Sequence, residues 1–218
     1  MERRTFSEGL TRPAERALWK LGSWISFPTD HALLFQGQPV HSVFLIDEGY
    51  VKVGMKSEDG TIALLSVQGN GEVVGLEAAL SGQESHLTVR TGREVVAKQI
   101  EAAAFGRYIE EYNLGPHLVR FMLGRLRESD AARSNLMRGS VQQRVSRLLL
   151  DLADKVGFLD EEGWVVIENL LQAELGSLIG ASRDAVAGTL AELRRKGLIA
   201  TGRRAITLLD QDSLRSNV

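Results

Sequence analysis

The feature that most constrains the fold of this chain is a stretch near its C-terminus, Glu174 to Leu198, which predicts two short helices joined by a tight turn. The apolar positions of these helices, at helical spacing, are Leu175, Leu178, Ile179, Val186, Leu190 and Leu193. Gly180 predicts the left-handed end of the first helix, because glycine adopts that conformation at little steric cost. Ser182 is the predicted N-cap of the second helix, which closes before Gly197. Together these signals predict a helix-turn-helix.

The first turn of the predicted second helix is polar, with Ser182, Arg183 and Asp184 in succession. In helix-turn-helix proteins the side chains of this turn contact base edges in the major groove of DNA. An ordinary helical hairpin uses the same glycine and serine signals. This stretch alone therefore leaves both DNA binding and simple packing open.

The composition is that of a globular chain without thiol chemistry. The 218 residues allow one large domain or two small ones, and 44% of them are hydrophobic. No apolar run approaches the ~18 residues that a membrane span needs, and the N-terminal residues lack the apolar segment of a secretory signal. The absence of cysteine excludes disulfides, thiolate-held iron–sulfur clusters and a cysteine nucleophile. We therefore expect a cytoplasmic protein that does not contact membranes.

The charge of the chain is nearly balanced, with a formal net charge of -2 at pH 7. Residues 139–218, which contain the predicted helix-turn-helix, carry 10 Lys and Arg against 11 Asp and Glu. A DNA-binding surface in this region must therefore be a local patch and not a uniformly basic domain.

The N-terminal half has the pattern of short strands. Residues 10–24 predict a short amphipathic helix with Pro13 in its first turn. From about Ile25 to Ile100, runs rich in Val, Leu and Ile alternate with glycine turns such as Asp59-Gly60, which is a strong hairpin signal. At least six such strands predict an antiparallel β-sandwich or small barrel.

After Ala102 the pattern becomes helical, and it predicts one helix over about 102–112 and a longer one over about Gly115 to Arg138. The longer helix carries a heptad seam formed by Val119, Met122, Leu126, Ser129, Arg133 and Leu136. At ~1.5 Å per residue this helix is about 35 Å long. Its partly polar seam favours a parallel two-fold dimer axis that also meets a ligand. Packing against the chain's own sheets is the alternative.

The remaining residues complete a winged helix-turn-helix. Gly139-Ser140 predicts a hinge, Val141 to Val156 a helix and Phe158 to Glu168 a hairpin. A last hairpin forms the wing, and its tip carries Arg203 and Arg204. The predicted fold is α+β, with a sensor domain over 1–112, a long dimerisation helix over 113–138 and a winged helix-turn-helix over 139–218.

This order of elements, with three sequence motifs, resembles the cAMP receptor protein/fumarate-nitrate regulator (CRP/FNR) family of bacterial transcription regulators over roughly residues 25–210. The motifs are LLFQGQPVHSVFLIDEGYVKV, GEVVGLEAALSGQ and LGSLIGASRDAVAGTLAELRRKGLI. The resemblance implies a cyclic-nucleotide-binding-like antiparallel β-barrel of the jelly-roll type. It also implies a homodimeric, effector-gated regulator, not an enzyme, that binds pseudo-palindromic double-stranded DNA and works with RNA polymerase.

The resemblance assigns DNA contacts as well. Arg183 stands where the cAMP receptor protein uses an arginine on guanine, and Asp184 stands where it uses a glutamate that accepts from cytosine N4. Each such pair is worth ~1–3 kcal/mol of discrimination. Ser182 occupies the cap position, which in the family also touches phosphate. The family's third base-reading arginine is replaced here by Gly188, so the target half-site should differ or be read with fewer contacts.

Three further residues, Gln172, Arg203 and Arg204, are candidates for phosphate contacts, which position a protein on DNA without specifying sequence. The cationic run Arg194-Arg195-Lys196 is interpreted as a solvated helix end that complements the helix dipole.

The effector loop departs from the pattern of the cyclic-nucleotide-binding members. There a Gly-Glu-Leu loop, followed later by Arg-Ser, holds the ribose and the cyclic phosphate. Here the loop is Gly75-Leu76-Glu77, with the acid displaced by one residue, and the Arg-Ser pair falls on Ser85-His86. A cyclic phosphate without a guanidinium loses its main charge partner. On the long helix, the adenine-contacting pair corresponds to Ser129-Asp130.

These differences predict a small-molecule effector other than cAMP. A cAMP- or cGMP-dependent regulator with a variant phosphate loop and an effector-independent regulator are the alternatives. No certain cofactor and no metal are expected, since histidines 31, 41, 86 and 117 lack the spacing of paired ligands. An enzyme with an accessory DNA domain and a purely structural cyclic-nucleotide-binding module are the other classes. No nucleophile elbow, phosphate loop or metal-spaced cluster supports the first, and the recognition helix and wing oppose the second.

Overall fold

The structure, a computed structural model, describes residues 5–57, 60–136 and 138–216. The helices in these ranges are α1 (Arg12–Lys20), α2 (Leu76–Ser81), α3 (Ala102–Glu111), α4 (Gly115–Leu136), α5 (Val141–Val156), α6 (Gln172–Ile179), α7 (Arg183–Arg195) and α8 (Gln211–Ser216). The strands are β1 (Ser23–Phe27), β2 (Ala32–Leu34), β3 (Ser42–Glu48), β4 (Val51–Lys56), β5 (Ile62–Gln68), β6 (Val73–Val74), β7 (Thr88–Thr91), β8 (Val95–Glu101), β9 (Phe158–Leu159), β10 (Val165–Glu168), β11 (Ile199–Gly202) and β12 (Ala205–Leu208). None of the described helices is both long and apolar enough to cross a membrane.

The contacts between residues group the chain into two compact units. The first consists of Met1–Val51 with Gly69–Asp130, and the second of Lys52–Gln68 with Ala131–Val218. The second unit is therefore discontinuous in sequence, because most of the β4–β5 hairpin belongs with the C-terminal elements. The boundaries inferred from the sequence, at residues 112 and 138, stay a prediction.

The strands before α3 form two sheets of four strands each. One has the order β1-β8-β3-β6, with Ile25 opposite Ala97 and Val43 opposite Ile100 in antiparallel register. The other contains β2, β7, β4 and β5, and β2 pairs antiparallel with β7. The predicted α+β fold with a jelly-roll sheet domain is confirmed, although the sheets do not close into a barrel. Asp59, in the predicted turn of the β4–β5 hairpin, lies outside the described residues.

The first predicted helix, over residues 10–24, is wrong at its C-terminal end. The helix stops at Lys20, and Ser23 and Trp24 begin β1 instead. Gly22 has a φ of +65°, and a Cβ at this position would lie 2.0 Å from the carbonyl oxygen of Gln99. The chain therefore turns where β1 meets β8, and strand pairing overrides the local helical pattern. The helix begins at Arg12, two residues later than predicted, and Pro13 lies in its first turn as predicted.

The core of the first unit is closed by an N-terminal segment, residues 5–9. Phe6 is fully buried and its ring contacts those of Phe105, His117 and Phe121 at centroid distances of 5.3–5.6 Å. The ring Nε2–H of His117 donates to the carbonyl oxygen of Phe6 at 2.8 Å. These contacts fix the beginning of α4 against the unit, and the sequence pattern did not indicate them.

The core of the second unit forms where α5, α6 and α7 pack together. Its buried side chains include Val145, Leu149, Leu152, Leu175, Ile179, Val186, Leu190 and Leu193. A capping box starts α5, because Ser140 Oγ accepts from the N–H of Gln143 and the Gln143 side chain accepts from the N–H of Ser140. Ser140 therefore begins a new helix directly after Gly139, and the predicted hinge at these two residues stays a prediction. The long helix ends at Leu136, earlier than predicted, and Met137 lies outside the described residues.

Candidate DNA-binding surface and effector region

The turn between α6 and α7 is held by two glycines. Gly180 caps α6 with a φ of +61°, and its N–H donates to the carbonyl oxygen of Gly176. A Cβ at Gly176 would lie 2.5 Å from the carbonyl oxygen of Ala181, so only glycine permits this close approach. The sequence predicts the role of Gly180, whereas that of Gly176 depends on the three-dimensional turn.

The start of α7 has the geometry that the sequence predicts. Ser182 is extended, with φ -69° and ψ 154°, and its Oγ accepts from the N–H of Ala185 at 3.2 Å. One face of the helix is buried, with Val186 and Leu193 fully inaccessible to solvent. Packing of this face fixes the rotation of α7, and Arg183 and Asp184 are exposed on its first turn.

The position at which the family has its third base-reading arginine is not crowded by neighbouring atoms. Gly188 is exposed on α7, and a Cβ there would meet no heavy atom within 4 Å. Nothing in the described part of the chain therefore prevents a larger residue at this position. The helix instead presents a gap one turn after Asp184.

The wing is a tight hairpin of β11 and β12, in which Gly202 pairs with Ala205. Arg203 and Arg204 form its two-residue tip, and both are exposed. Arg204 has a φ of +60°, and its carbonyl oxygen accepts from the N–H of Asn169 at 2.6 Å. The tip is thus anchored by its backbone, which leaves both guanidinium groups available to a ligand.

The remaining predicted DNA-contact position, Gln172, is the exposed first residue of α6. At the far end of α7, Arg194 donates to Thr201 Oγ1 at 3.3 Å. Lys196 pairs with Glu192 at 2.8 Å, and its hydrogen bond lowers the pKa of that carboxyl. These local contacts agree with the interpretation of the cationic run as a solvated helix end.

The predicted effector positions in the first unit lie around α2. Gly75 precedes α2 with a φ of +83°, and Leu76 is buried against the core. The carboxylate of Glu77 lies 3.5 Å from His86 Nδ1, and both side chains are more than half exposed. Ser85 is buried, and its hydroxyl donates to the carbonyl oxygen of Leu87 at 2.8 Å. The structure thus brings Glu77 and His86 together but leaves the Ser85 hydroxyl engaged with the backbone.

Ser129 is the last of the predicted effector positions, and Arg90 lies close in sequence to two others, Ser85 and His86. Arg90, the nearest guanidinium in sequence, forms an ion pair with Asp30 at 2.9 Å. Ser129 is exposed on α4. Within the described residues, no group of three or more Asp, Glu or His side chains is arranged to hold a metal ion.

Sequence reasoning missed two ion pairs that join distant segments. Arg125 on α4 pairs with Glu72, whose side chain is 7% exposed. Lys52 on β4 pairs with Glu174 on α6 at 2.8 Å. The partners are 53 and 122 residues apart in the chain, so no local spacing could have indicated either pair.

The fold and the exposed first turn of α7 define a DNA-binding transcription regulator with a sensor domain. Two family models match its two parts: a cyclic nucleotide-binding domain over residues 24–112 and a Crp-like helix-turn-helix domain over residues 143–216. The chain belongs to the CRP/FNR family.

Similar proteins cover nearly the whole chain. It is 27% identical over 208 residues to a CRP-like cAMP-activated global transcriptional regulator of Mycobacterium tuberculosis, covering 95% of this chain and 93% of the relative. It is 28% identical over 189 residues to the transcriptional regulator LdrP of Thermus thermophilus, covering 86% and 93%. A solved CRP/FNR-family regulator, also from Thermus thermophilus, has a TM-score of 0.72 at 25% identity, covering 89% of this chain and 97% of that chain. These relatives are transcription regulators and not enzymes.

Proposed function

We propose that the chain is a homodimeric, cytoplasmic regulator that reads a specific DNA sequence and is gated by a small molecule other than cAMP. The observation that carries DNA reading is the first turn of α7. There a serine cap, a guanidinium and a carboxylate are exposed above a fully buried apolar face. A rigidly packed helix can hold such side chains at fixed positions in a major groove. The DNA-bound dimer would then act through RNA polymerase.

The roles of the individual residues follow from hydrogen-bond chemistry. Arg183 can donate two hydrogen bonds to the O6 and N7 atoms of guanine, and Asp184 can accept from cytosine N4. Ser182, Gln172 and the wing arginines contact phosphates, which set the register of the protein on the duplex. Because Gly188 offers no side chain, we expect the half-site to be read through fewer bases than in relatives with an arginine there.

Selection from random DNA tests this proposal. We expect the full-length protein to enrich a pseudo-palindrome with half-sites about 34 Å apart. Arg183→Ala should lose ~1–3 kcal/mol of discrimination at one base pair of each half-site. Competition binding against DNA with single-base changes measures this loss.

Arg195→Ala is the matched control, because Arg195 is an exposed arginine at the opposite end of the same helix. It should leave base preference unchanged. An equal loss of affinity of the Arg183 variant for all sequences would show that Arg183 contacts phosphate and not a base.

The dimer is supported by an apolar face of α4 that no described part of the chain covers. Val119, Met122 and Leu126 are 58%, 40% and 54% exposed, and all three lie on the heptad seam. Phe121, in the adjacent register, is buried against the first unit. Helix α4 therefore has one face for its own unit and another for a partner, and a second copy of the same helix fits a heptad seam.

An effector other than cAMP is supported by the contacts of the polar residues near α2. The ion pair of Arg90 with Asp30 directs its guanidinium away from the role of phosphate partner, and the Ser85 hydroxyl is engaged with Leu87. The Glu77–His86 pair places a carboxylate where a cyclic phosphate would be repelled. A variant cyclic-nucleotide site and an effector-independent regulator are the alternatives.

Calorimetric titration of the full-length protein with cAMP, and with cGMP in parallel, separates the proposal from a variant cyclic-nucleotide site. We expect no saturable heat from either nucleotide, because neither would find a free guanidinium for its phosphate. One-site binding of cAMP that His86→Ala abolishes would contradict the proposal and establish a variant phosphate loop.

A further inference from the structure

A cavity of about 450 Å³ lies in the first unit between the N-terminal segment and α4. Its walls are residues of that segment, Glu72 and the face of α4 from His117 to Glu128. None of the predicted effector positions lines it, namely Gly75, Leu76, Glu77, Ser85, His86 and Ser129. The cavity is therefore separate from the loop that corresponds to the nucleotide site of the family.

The α4 wall of this cavity is open at a glycine. His117, Phe121, Gly124 and Glu128 follow one another at spacings of four, three and four, which places them on one helix face. A Cβ at Gly124 would meet no heavy atom within 4 Å, so packing does not require glycine here. Glycine is less favourable than alanine in a helix interior. Its presence at an open wall indicates space that is kept for a ligand.

Two of the charged side chains around the cavity form an ion pair, and four others form none among the residues that the structure describes. Arg125 and Glu72 pair with each other. Arg120 and Arg127, and the carboxylates of Glu8 and Glu128, line the cavity without an ion-pair partner among the residues that the structure describes. Arg120 and Arg127 are seven residues, or two helical turns, apart and lie on the same edge of α4.

The two guanidinium groups and two carboxylates of Arg120, Arg127, Glu8 and Glu128 determine which class of ligand the cavity can bind. A phosphate or dicarboxylate would face Glu8 and Glu128, and a simple amine would face the arginines. A zwitterion satisfies both signs, because its carboxylate accepts from a guanidinium and its ammonium donates to a carboxylate. A volume of about 450 Å³ holds a molecule of amino-acid size with several waters, each of which takes ~30 Å³.

We propose that this cavity binds a free amino acid, with its carboxylate on Arg120 and Arg127 and its ammonium on Glu128. Its side chain packs against Phe121 and Gly124. The inference deepens the proposed function and rests on it for its regulatory meaning, since the ligand would be the effector. Gly124 and Leu126 are ~200° apart around the helix, so the ligand and a second copy of the chain occupy opposite faces of α4.

Calorimetric titration of the full-length protein with each of the twenty L-amino acids tests the site. At least one should bind saturably at one site per chain. The N-acetyl and amide derivatives of that amino acid should each bind at least about tenfold more weakly, because each lacks one of the two charges. Equal binding of the N-acetyl derivative, or no saturable heat with any of the twenty, would overturn the assignment.

Variants separate the cavity from adventitious binding. Arg120→Ala and Arg127→Ala should each raise Kd at least about tenfold, by loss of a charge-assisted contact. Gly124→Leu should abolish binding, and leucine is a good helix former with space for its Cβ, so α4 should stay intact. Arg16→Ala, an exposed arginine on α1 outside the cavity, should leave Kd unchanged. Unchanged affinity in the Arg120, Arg127 and Gly124 variants would overturn the proposal.

Selection of DNA by the same proteins is measured in a separate experiment. If the unaltered protein binds no amino acid but still selects a pseudo-palindrome, the cavity assignment alone is refuted. Loss of DNA selection in the unaltered protein would instead refute the proposed function, whatever the cavity binds.

Discussion

At the scale of single residues, Glu174 makes two contacts with one carboxylate. Its Oε2 accepts from the backbone N–H of Leu171 at 2.7 Å, which caps α6. The same oxygen lies 2.8 Å from Lys52 Nζ on the β4–β5 hairpin, and Oε1 lies 2.9 Å from it. The Lys52 and Glu174 side chains are 18% and 23% exposed, so water screens the pair only in part. Glu174 therefore joins the start of the helix-turn-helix to the hairpin.

These two contacts predict unequal effects of substitution. Glu174→Ala should destabilise α6 by about 1–2 kcal/mol, because it removes both the cap and the ion pair. Lys52→Met keeps the cap and the apolar stem, so it should reduce stability by less than about 1 kcal/mol. Hydrogen exchange of the α6 amides in the full-length protein measures both effects locally. Equal losses in the two variants would show that the cap contributes nothing.

At the scale of elements, the parts of the fold with local signals were predictable. Helix α5 has the predicted bounds, and the Ser182 cap and the wing lie where the sequence places them. The reason is physical: caps, helical periodicity and two-residue turns depend on residues within a few positions of each other. The exposure of Arg183 and Asp184 on the first turn of α7 follows from the same local signals, and their contacts with DNA stay a prediction.

Elements that depend on distant partners were not predictable in this way. The strand that ends the first helical pattern pairs with β8, 68 to 76 positions along the chain. Helix α2 has only six residues between Gly75 and Gly82, too few to show a helical period. The cavity could not be predicted from local patterns, because its walls come from three separate parts of the chain: the N-terminal segment, Glu72 and α4. A glycine inside a strong helical pattern was the one local signal that could have pointed to it.

At the scale of the whole molecule, the exposed seam of α4 predicts the oligomeric state. In a two-fold interface each residue near the axis meets its own copy. Leu126→Glu would therefore bring two carboxylates together in an apolar surrounding, where neither finds a partner. We expect this variant to be monomeric at concentrations where the unaltered protein is a dimer, and to lose affinity for DNA with two half-sites.

Analytical ultracentrifugation and competition binding measure these two outcomes. Leu159→Glu provides the matched control, since Leu159 is 67% exposed and lies on β9, which carries none of the seam residues. It should stay dimeric. A Leu126 variant that keeps the dimer constant of the unaltered protein would place the interface elsewhere.

Because the second unit is discontinuous in sequence, dividing the gene between its two halves separates parts of one unit. Residues Lys52–Gln68 lie inside the sensor half of the reading frame, yet β5 packs against α5 and α6, and Leu64 and Val67 are buried. A fragment that begins near residue 139 lacks this hairpin. Its apolar surface is then uncovered, and its Glu174 is without the Lys52 partner. Poor solubility of such a fragment would therefore report a missing strand pair, and reporter fusions should retain the hairpin.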